Sequence, residues 1–233
     1  MKPILLTISL VACTAEPLGG VATSDLNLFA DLTRDQDGKV DVLVELGTYD
    51  AALDKNYIFL EPEDRLTALS DTRSEDLDQN GPVLGVVQYR ASLDTVAEGS
   101  VIEIELDRAA TVETLISEGT FPEALAITAP SSLARDTSLE VSWTGGEGAE
   151  DVEVTATAAC ARILTTRAAV GDGSLVITRD KIEVTAGATL PCQLTLRVTA
   201  VATGTTDARL DDWWFASGFY TRQISEQALT ITE

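Results

Sequence analysis

The sequence predicts an all-β protein made of two tandem antiparallel β-sandwiches, and three observations carry that reading. Period-two alternation of apolar and polar residues recurs along the chain, tight-turn chemistry separates the alternating runs, and no long window shows an apolar stripe at helical spacing. Val40, Val42, Val44 and Leu46 alternate with Asp41 and Glu45. Ile102, Ile104 and Leu106 alternate with Glu103 and Glu105, and Leu139, Val141 and Trp143 with Glu140 and Ser142. Each pattern describes a half-buried strand, because successive side chains point to opposite faces of a sheet. The turns are Asp35-Gln36-Asp37-Gly38 before Val40, Asn80-Gly81-Pro82 before Val83, Gly145-Gly146-Glu147-Gly148 before Val152, and Gly171-Asp172-Gly173 before Leu175. Helix is confined to a turn or two over Ala51–Lys55 and Ala109–Glu118. A chain without crossover helices builds no parallel βαβ units, so the strands pair antiparallel.

Gly119 and Pro122 interrupt the pattern before a fresh strand over Leu125–Thr128, which sets the division into an N-terminal sandwich over 25–121 and a C-terminal one over 122–233. Thr14–Ser24 carries Pro17, Gly19 and Gly20 and reads as a flexible tether spanning 13–24. Within the second unit, Ser138–Trp143 and Val152–Thr157 resemble strands B and C of immunoglobulin-like or fibronectin-type sandwiches, and Gln193–Val201 resembles strand F. An antibody-type bridge joins strands B and F around a Trp on C, whereas Trp143 falls on strand B. The resemblance therefore implies the sandwich and not membership of the antibody superfamily.

Lys2 followed by the apolar run Ile4–Ala12 reads as a leader, and Leu10-Val11-Ala12-Cys13 resembles the lipobox at which bacterial lipoprotein precursors are acylated and cut. That resemblance makes residues 1–12 a signal peptide and Cys13 the acylated first residue of the mature chain. The run is too short to span a bilayer, which takes about 20 apolar residues, so attachment comes from acyl chains on Cys13. Thr14 stands where an aspartate would favour inner-membrane retention, which points to the outer membrane of a Gram-negative cell.

Three cysteines less Cys13 leave Cys160 and Cys192, and an even pair in an exported chain reads as one disulfide. Val152, Val154, Ala156 and Ala158 share a face with Cys160, and Leu194, Leu196, Val198 and Ala200 share one with Cys192, so both sulfurs point into one core. A metal site competes poorly, since two thiols without a histidine leave zinc short of ligands. In the sandwich that these strands resemble, C and F are antiparallel neighbours, which brings the two cysteines together.

The chain has 16 basic and 38 acidic residues, no histidine and a formal net charge of −22. Nucleic acid is excluded as a partner, because phosphate binding needs a basic footprint. Without histidine the usual proton carrier and the nucleophiles built on it are absent. An enzyme would have to work with carboxylate pairs alone. No catalytic residues and no cofactor are expected. The leading reading is a non-enzymatic, lipid-anchored binding or structural protein of the cell envelope; the alternative is a carboxylate-dependent hydrolase or an accessory subunit of a surface enzyme or adhesion system.

Three stretches offer contact chemistry. Asp35-Gln36-Asp37-Gly38-Lys39-Val40-Asp41 echoes the core of a calcium loop, but Thr33 and Val44 stand where the first and last ligands belong. It reads as a tight turn, with Asp35, Asp37 and Asp41 as all it offers a cation. Asp71, Glu75, Asp76 and Asp78 read as a solvated acidic loop. Trp213, Trp214, Phe215, Phe219 and Tyr220 gather five of the chain's twelve aromatic residues beside Asp211-Asp212. Exposed rings of this kind anchor a protein or carbohydrate partner; alternate ones would complete a core.

Taken whole, the chain resembles two-domain lipoproteins of Gram-negative bacteria. The features that carry this are Cys13, Pro130 leading to the Trp143 strand, the Cys160 and Cys192 pair, and the aromatic segment Trp213–Gln223 before the last strand. The resemblance implies the architecture and the envelope location; it implies no activity.

Overall fold

The computed structural model describes residues 15–49, 55–83, 86–211 and 217–233. Among them the chain is β throughout, with only single turns of 3-10 helix between strands. The N-terminal half forms β1 (Ala15–Pro17), β2 (Asn27–Arg34), β3 (Val40–Tyr49), β4 (Lys55–Phe59), β5 (Arg65–Ser70), β6 (Arg73–Asp76), β7 (Asp78–Val83), β8 (Val86–Leu93), β9 (Val101–Arg108) and β10 (Glu113–Thr120). The C-terminal half forms β11 (Leu125–Thr128), β12 (Ser132–Ala134), β13 (Leu139–Gly145), β14 (Asp151–Thr157), β15 (Ala161–Ala169), β16 (Ser174–Ile177), β17 (Ile182–Val184), β18 (Cys192–Thr203) and β19 (Gly218–Thr232). Ala109–Glu118 holds no helix: Glu113 onward belongs to β10, which pairs with β9 residue by residue.

One large sheet serves as the floor of both sandwiches. Its order is β1-β4-β3-β2-β19-β18-β14-β15-β17, with β8 and β7 added beyond β3 and β12 beside β19. The sheet β10-β9-β5-β6 covers the first half of this floor and β11-β13-β16 covers the second. The join is β19: its first residues, Gly218–Gln223, run parallel to β2, while Tyr220–Ile231 run antiparallel to β18. At about 3.3 Å per residue, this strand is nearly 50 Å long.

Parity along β19 shows how one strand serves two cores. Phe219 is buried in the first core, Leu229 and Ile231 in the second, and all three are odd-numbered, so both covers lie on the same face of the floor. Between them the inward positions are polar: Thr221, Gln223 and Ser225 are buried, and Gln227 is half-buried. They mark the seam between the covers, where Thr221, Gln223 and Gln227 find backbone or side-chain partners rather than hydrocarbon ones. Thr221 donates to the Thr120 carbonyl and Gln227 to the Ala129 carbonyl. Gln223 accepts from Arg34 at 2.6 Å and donates to the Ile224 carbonyl.

The C-terminal sandwich follows the expected strand plan. β13 pairs with β11 and β16 in the cover, and β14 and β18 are antiparallel neighbours in the floor. Trp143 is buried in this core and its indole N–H donates to the Val170 carbonyl at 2.9 Å. Cys160 and Cys192 form a disulfide with a Cα separation of 6.5 Å, at the end of the molecule farthest from the first sandwich.

Residues 122–233 are not a self-contained unit. After β18 the chain crosses to the first sandwich and lies along the edge of β10: Glu118 and Thr205 exchange both backbone hydrogen bonds, and Asp207 accepts the Ile116 N–H at 2.9 Å. Leu210 and Phe219 are buried in the first core. The crossing is close enough to demand glycine, since a Cβ on Gly204 would lie 2.2 Å from the Glu118 carbonyl oxygen, and one on Gly119 2.7 Å from the Phe219 ring. The segment thereby covers a sheet edge that would otherwise offer unpaired N–H and C=O groups.

Candidate functional site

The N-terminal segment corrects the expectation of a tether. Leu18 and Leu26 are fully buried in the first core, and β1 pairs in parallel with β4, Ala15 opposite Tyr57 and Pro17 opposite Phe59. The clamp that holds this segment is Arg108, the last residue of β9. Its inward position continues the series Ile102, Ile104, Leu106, so its guanidinium enters the core instead of solvent. There it donates to the carbonyls of Leu18 (3.2 Å) and Val21 (2.6 Å) and to the Thr23 hydroxyl. A buried guanidinium is tolerated only with such partners. Thr23 in turn donates to Glu113 at 2.7 Å. That bond, a second from Thr111 and the nearby Arg108 charge hold the Glu113 carboxyl below its usual range. A charged residue at inward parity on an otherwise apolar strand face was the signal in the sequence for this clamp.

All of this lies at one end of the first sandwich. β2 runs from Asn27 at that end to Arg34 at the seam, β3 returns to Tyr49, and β1 enters at the level of Gly47 and Tyr57. On the cover, β9 arrives there at Arg108 and β10 departs at Glu113, so the connecting hairpin tip, 109–112, stands beside the entering chain. Val112 at this tip is 92% exposed with φ +55°. β-branched residues rarely adopt the left-handed region. Glu61 and Asp64 flank the tip: Asp64 accepts the Ala109 N–H at 3.0 Å and Glu61 accepts the Gly19 N–H at 3.1 Å.

Cys13, Trp213, Trp214 and Phe215 lie outside the described residues. The residues that flank 212–216 are pinned at the chain-entry end, where the Asp211 N–H donates to the Leu26 carbonyl and Ser217 donates to Asn27 at 3.0 Å. Phe219 is fully buried and is a core residue, not a contact anchor; its place opposite Gly119 and Gly204 explains why. Tyr220 is half-buried on the outer face of the floor, with its ring 5.8 Å from that of Phe29.

The acidic turn is engaged internally. Asp35 closes the β2–β3 hairpin, accepting the N–H groups of Asp37 and Lys39, each at 2.9 Å, while Asp41 pairs with Lys39 at 3.3 Å. The Asp35, Asp37 and Asp41 carboxylates therefore form no ligand shell, and no group of three or more Cys, Asp or Glu among the described residues is placed to hold a metal ion. Asp76 of the second acidic run accepts from Thr67 at 3.0 Å and sits 3.7 Å from Arg65.

Other carboxylates are committed to holding the floor together. Arg222 on β19 lies 2.8 Å from Asp31 on β2 and 3.1 Å from Glu153 on β14, and Glu153 also meets Arg167 at 2.5 Å. Burial works against the Arg222 charge, but the two carboxylates outweigh it and raise its pKa. Asp207 is grasped by Arg209, which with the N–H groups of Arg209 and Ile116 holds its carboxyl far below the usual range against the effect of burial. These shifts belong to structural ion pairs. Among the described residues no helix is long and apolar enough to cross a membrane.

No family model and no curated protein matches the chain. Among solved structures it is similar to the full ectodomain, Ig1–Ig3, of mouse nectin-like molecule 4, with 10% identity and a TM-score of 0.29 over 91% of this chain. It is likewise similar to the FN1–FN3 domains of chicken CNTN1, with 11% identity and a TM-score of 0.26 over 89% of this chain. The chain spans 65% of the length of each of those structures.

Proposed function

We propose that the protein is a lipid-anchored, non-enzymatic component of a bacterial cell envelope, in which the two fused sandwiches form a stiff projection that acts by contact. The observation that carries this reading is the position of the entering chain. Residues 15–26 are fixed on one end of the first sandwich by Arg108, two residues after the lipobox-like Cys13, while the second sandwich extends from the opposite end along β19. An acyl anchor on Cys13 would hold the molecule by one end and present the other, disulfide-stapled end away from the bilayer. The outer membrane is the proposed location, on the strength of Thr14.

The test is Cys13→Ser in the full-length precursor, expressed in a Gram-negative host with radiolabelled palmitate. The native protein should take up label and sediment with membranes. The variant should lose the label and appear in the soluble fraction, and full retention of the variant in washed membranes would refute the anchor.

A further inference from the structure

We infer that the chain-entry end of the first sandwich is a lipid-seating surface, with the hairpin tip 109–112 resting in the bilayer interface and Val112 as its apolar contact. This inference rests on the proposed anchor at Cys13 and names the partner of the end that the anchor holds.

Three observations support it. The first is reach: Ala15 is fixed by its pairing with Tyr57, and Cys13 is two residues away, so the Cα that carries the acylated side chain lies within about 7 Å of the Ala15 Cα. With no slack between lipid and domain, that end has to meet the headgroups. The second is Val112 itself. It is the most exposed of the large hydrophobic residues described, at 92%, and it occupies a left-handed conformation that Gly or Asn would adopt with less strain. Neither packing nor turn geometry accounts for a valine there, whereas an apolar contact outside the protein does. The third is location: Arg108 and Glu113, which bracket the tip, are the residues bonded to the entering segment through Leu18, Val21 and Thr23. Anchor and tip are thus fixed relative to one another.

The charge around the tip defines the lipid. Exposed Glu61 and Glu63 and half-buried Asp64 lie beside Ala109 and Ala110, while the basic side chains nearby are engaged, Arg209 by Asp207 and the Thr114 carbonyl and Arg65 by Asp76. Together with a net charge of −22, these carboxylates select a zwitterionic surface over a strongly anionic one.

The experiment uses the lipidated full-length protein in phosphatidylethanolamine/phosphatidylcholine vesicles. Cys13 is acylated and Cys160 is bonded to Cys192, so the three native cysteines leave no free thiol. Val112→Cys and, at the far end, Val176→Cys are each labelled with a fluorophore; Val176 is 56% exposed in β16. Vesicle flotation first scores the anchor. On floated protein, lipids carrying a shallow nitroxide should quench the label at 112 at least twofold while leaving that at 176 unchanged, and phosphatidylglycerol at low salt should weaken the effect at 112. Floated protein with equal quenching at both sites, or with no lipid quenching at 112, overturns the seating and leaves the anchor standing. Protein that does not float overturns both.

Discussion

Arg34, at the end of β2, donates to Gln223 of β19 at 2.6 Å, joining residues 189 apart in sequence at the seam between the two covers. Arg34 is 7% exposed, its Nε donates to the Val96 carbonyl at 2.6 Å, and Glu98 lies 3.6 Å away. Glu98 also accepts the Ala124 N–H at 3.2 Å, so this one network touches both halves of the chain.

Gln223→Leu should therefore cost about 2–3 kcal/mol, because it leaves a buried guanidinium short of an acceptor. The double variant Arg34→Met/Gln223→Leu should recover part of that loss, giving a coupling energy of about 1 kcal/mol or more in a urea double-mutant cycle. Native protein should unfold in a single transition by fluorescence and by circular dichroism, despite its two cores. Separate transitions would show that the seam does not couple them.

Replacing Arg108 by Met keeps the stem but removes the donors to Leu18, Val21 and Thr23. Amide exchange over residues 18–26 should accelerate at least tenfold, and chymotrypsin should clip the segment after Leu18 or Leu26, while β13–β18 keep native protection. Unchanged exchange in the segment would mean that Leu18 and Leu26 hold it without the clamp.

Breaking the disulfide, with Cys160→Ala and Cys192→Ala together, should destabilise by about 3–4 kcal/mol, since the bond closes a loop of 32 residues. The loss should localise to the far end of the second sandwich, around β15 and β17, which pair beside Cys160. Thermal denaturation with and without reductant measures it.

Asp207 gives the fold a pH dependence of defined sign. Its folded pKa lies below the unfolded carboxylate value of about 3.9, so its contribution is full above about pH 5 and is lost as pH falls through and below 4. Asp207→Asn should be destabilising at pH 7, and the gap between variant and native protein should narrow steadily from pH 5 to pH 2. A gap independent of pH would mean that Arg209 and the Ile116 N–H are held by something other than the carboxylate charge.

The second sandwich was legible in the sequence because its strands obey local rules. Leu139, Val141 and Trp143 alternate cleanly, as do Val152–Ala156 and Leu194–Ala200, and the even pair of cysteines pointed to the bond, although Cys160 sits in the bend between β14 and β15 instead of on a strand face. The entering segment was not, because Pro17, Gly19 and Gly20 suggest an unpacked chain, and the bonds that order it come from Arg108, some 85–90 residues away. β19 was misread for a related reason. Its inward residues are Phe, Thr, Gln, Ser, Gln, Leu and Ile in turn, and the polar middle hides one continuous strand until both covers are seen. Phe219 looked like part of an exposed aromatic stretch since nothing local announces the glycines at 119 and 204 that make its pocket.

Because β19 completes both cores, its place in the order of synthesis matters. A ribosome makes residues 27–34 long before residues 218–223, so the N-terminal half waits, without its neighbouring strand, until β19 has been made. Closure then comes late and for both halves together. Any product that stops before Gly218 leaves two unfinished cores instead of one finished domain, and is marked for proteolysis as a whole.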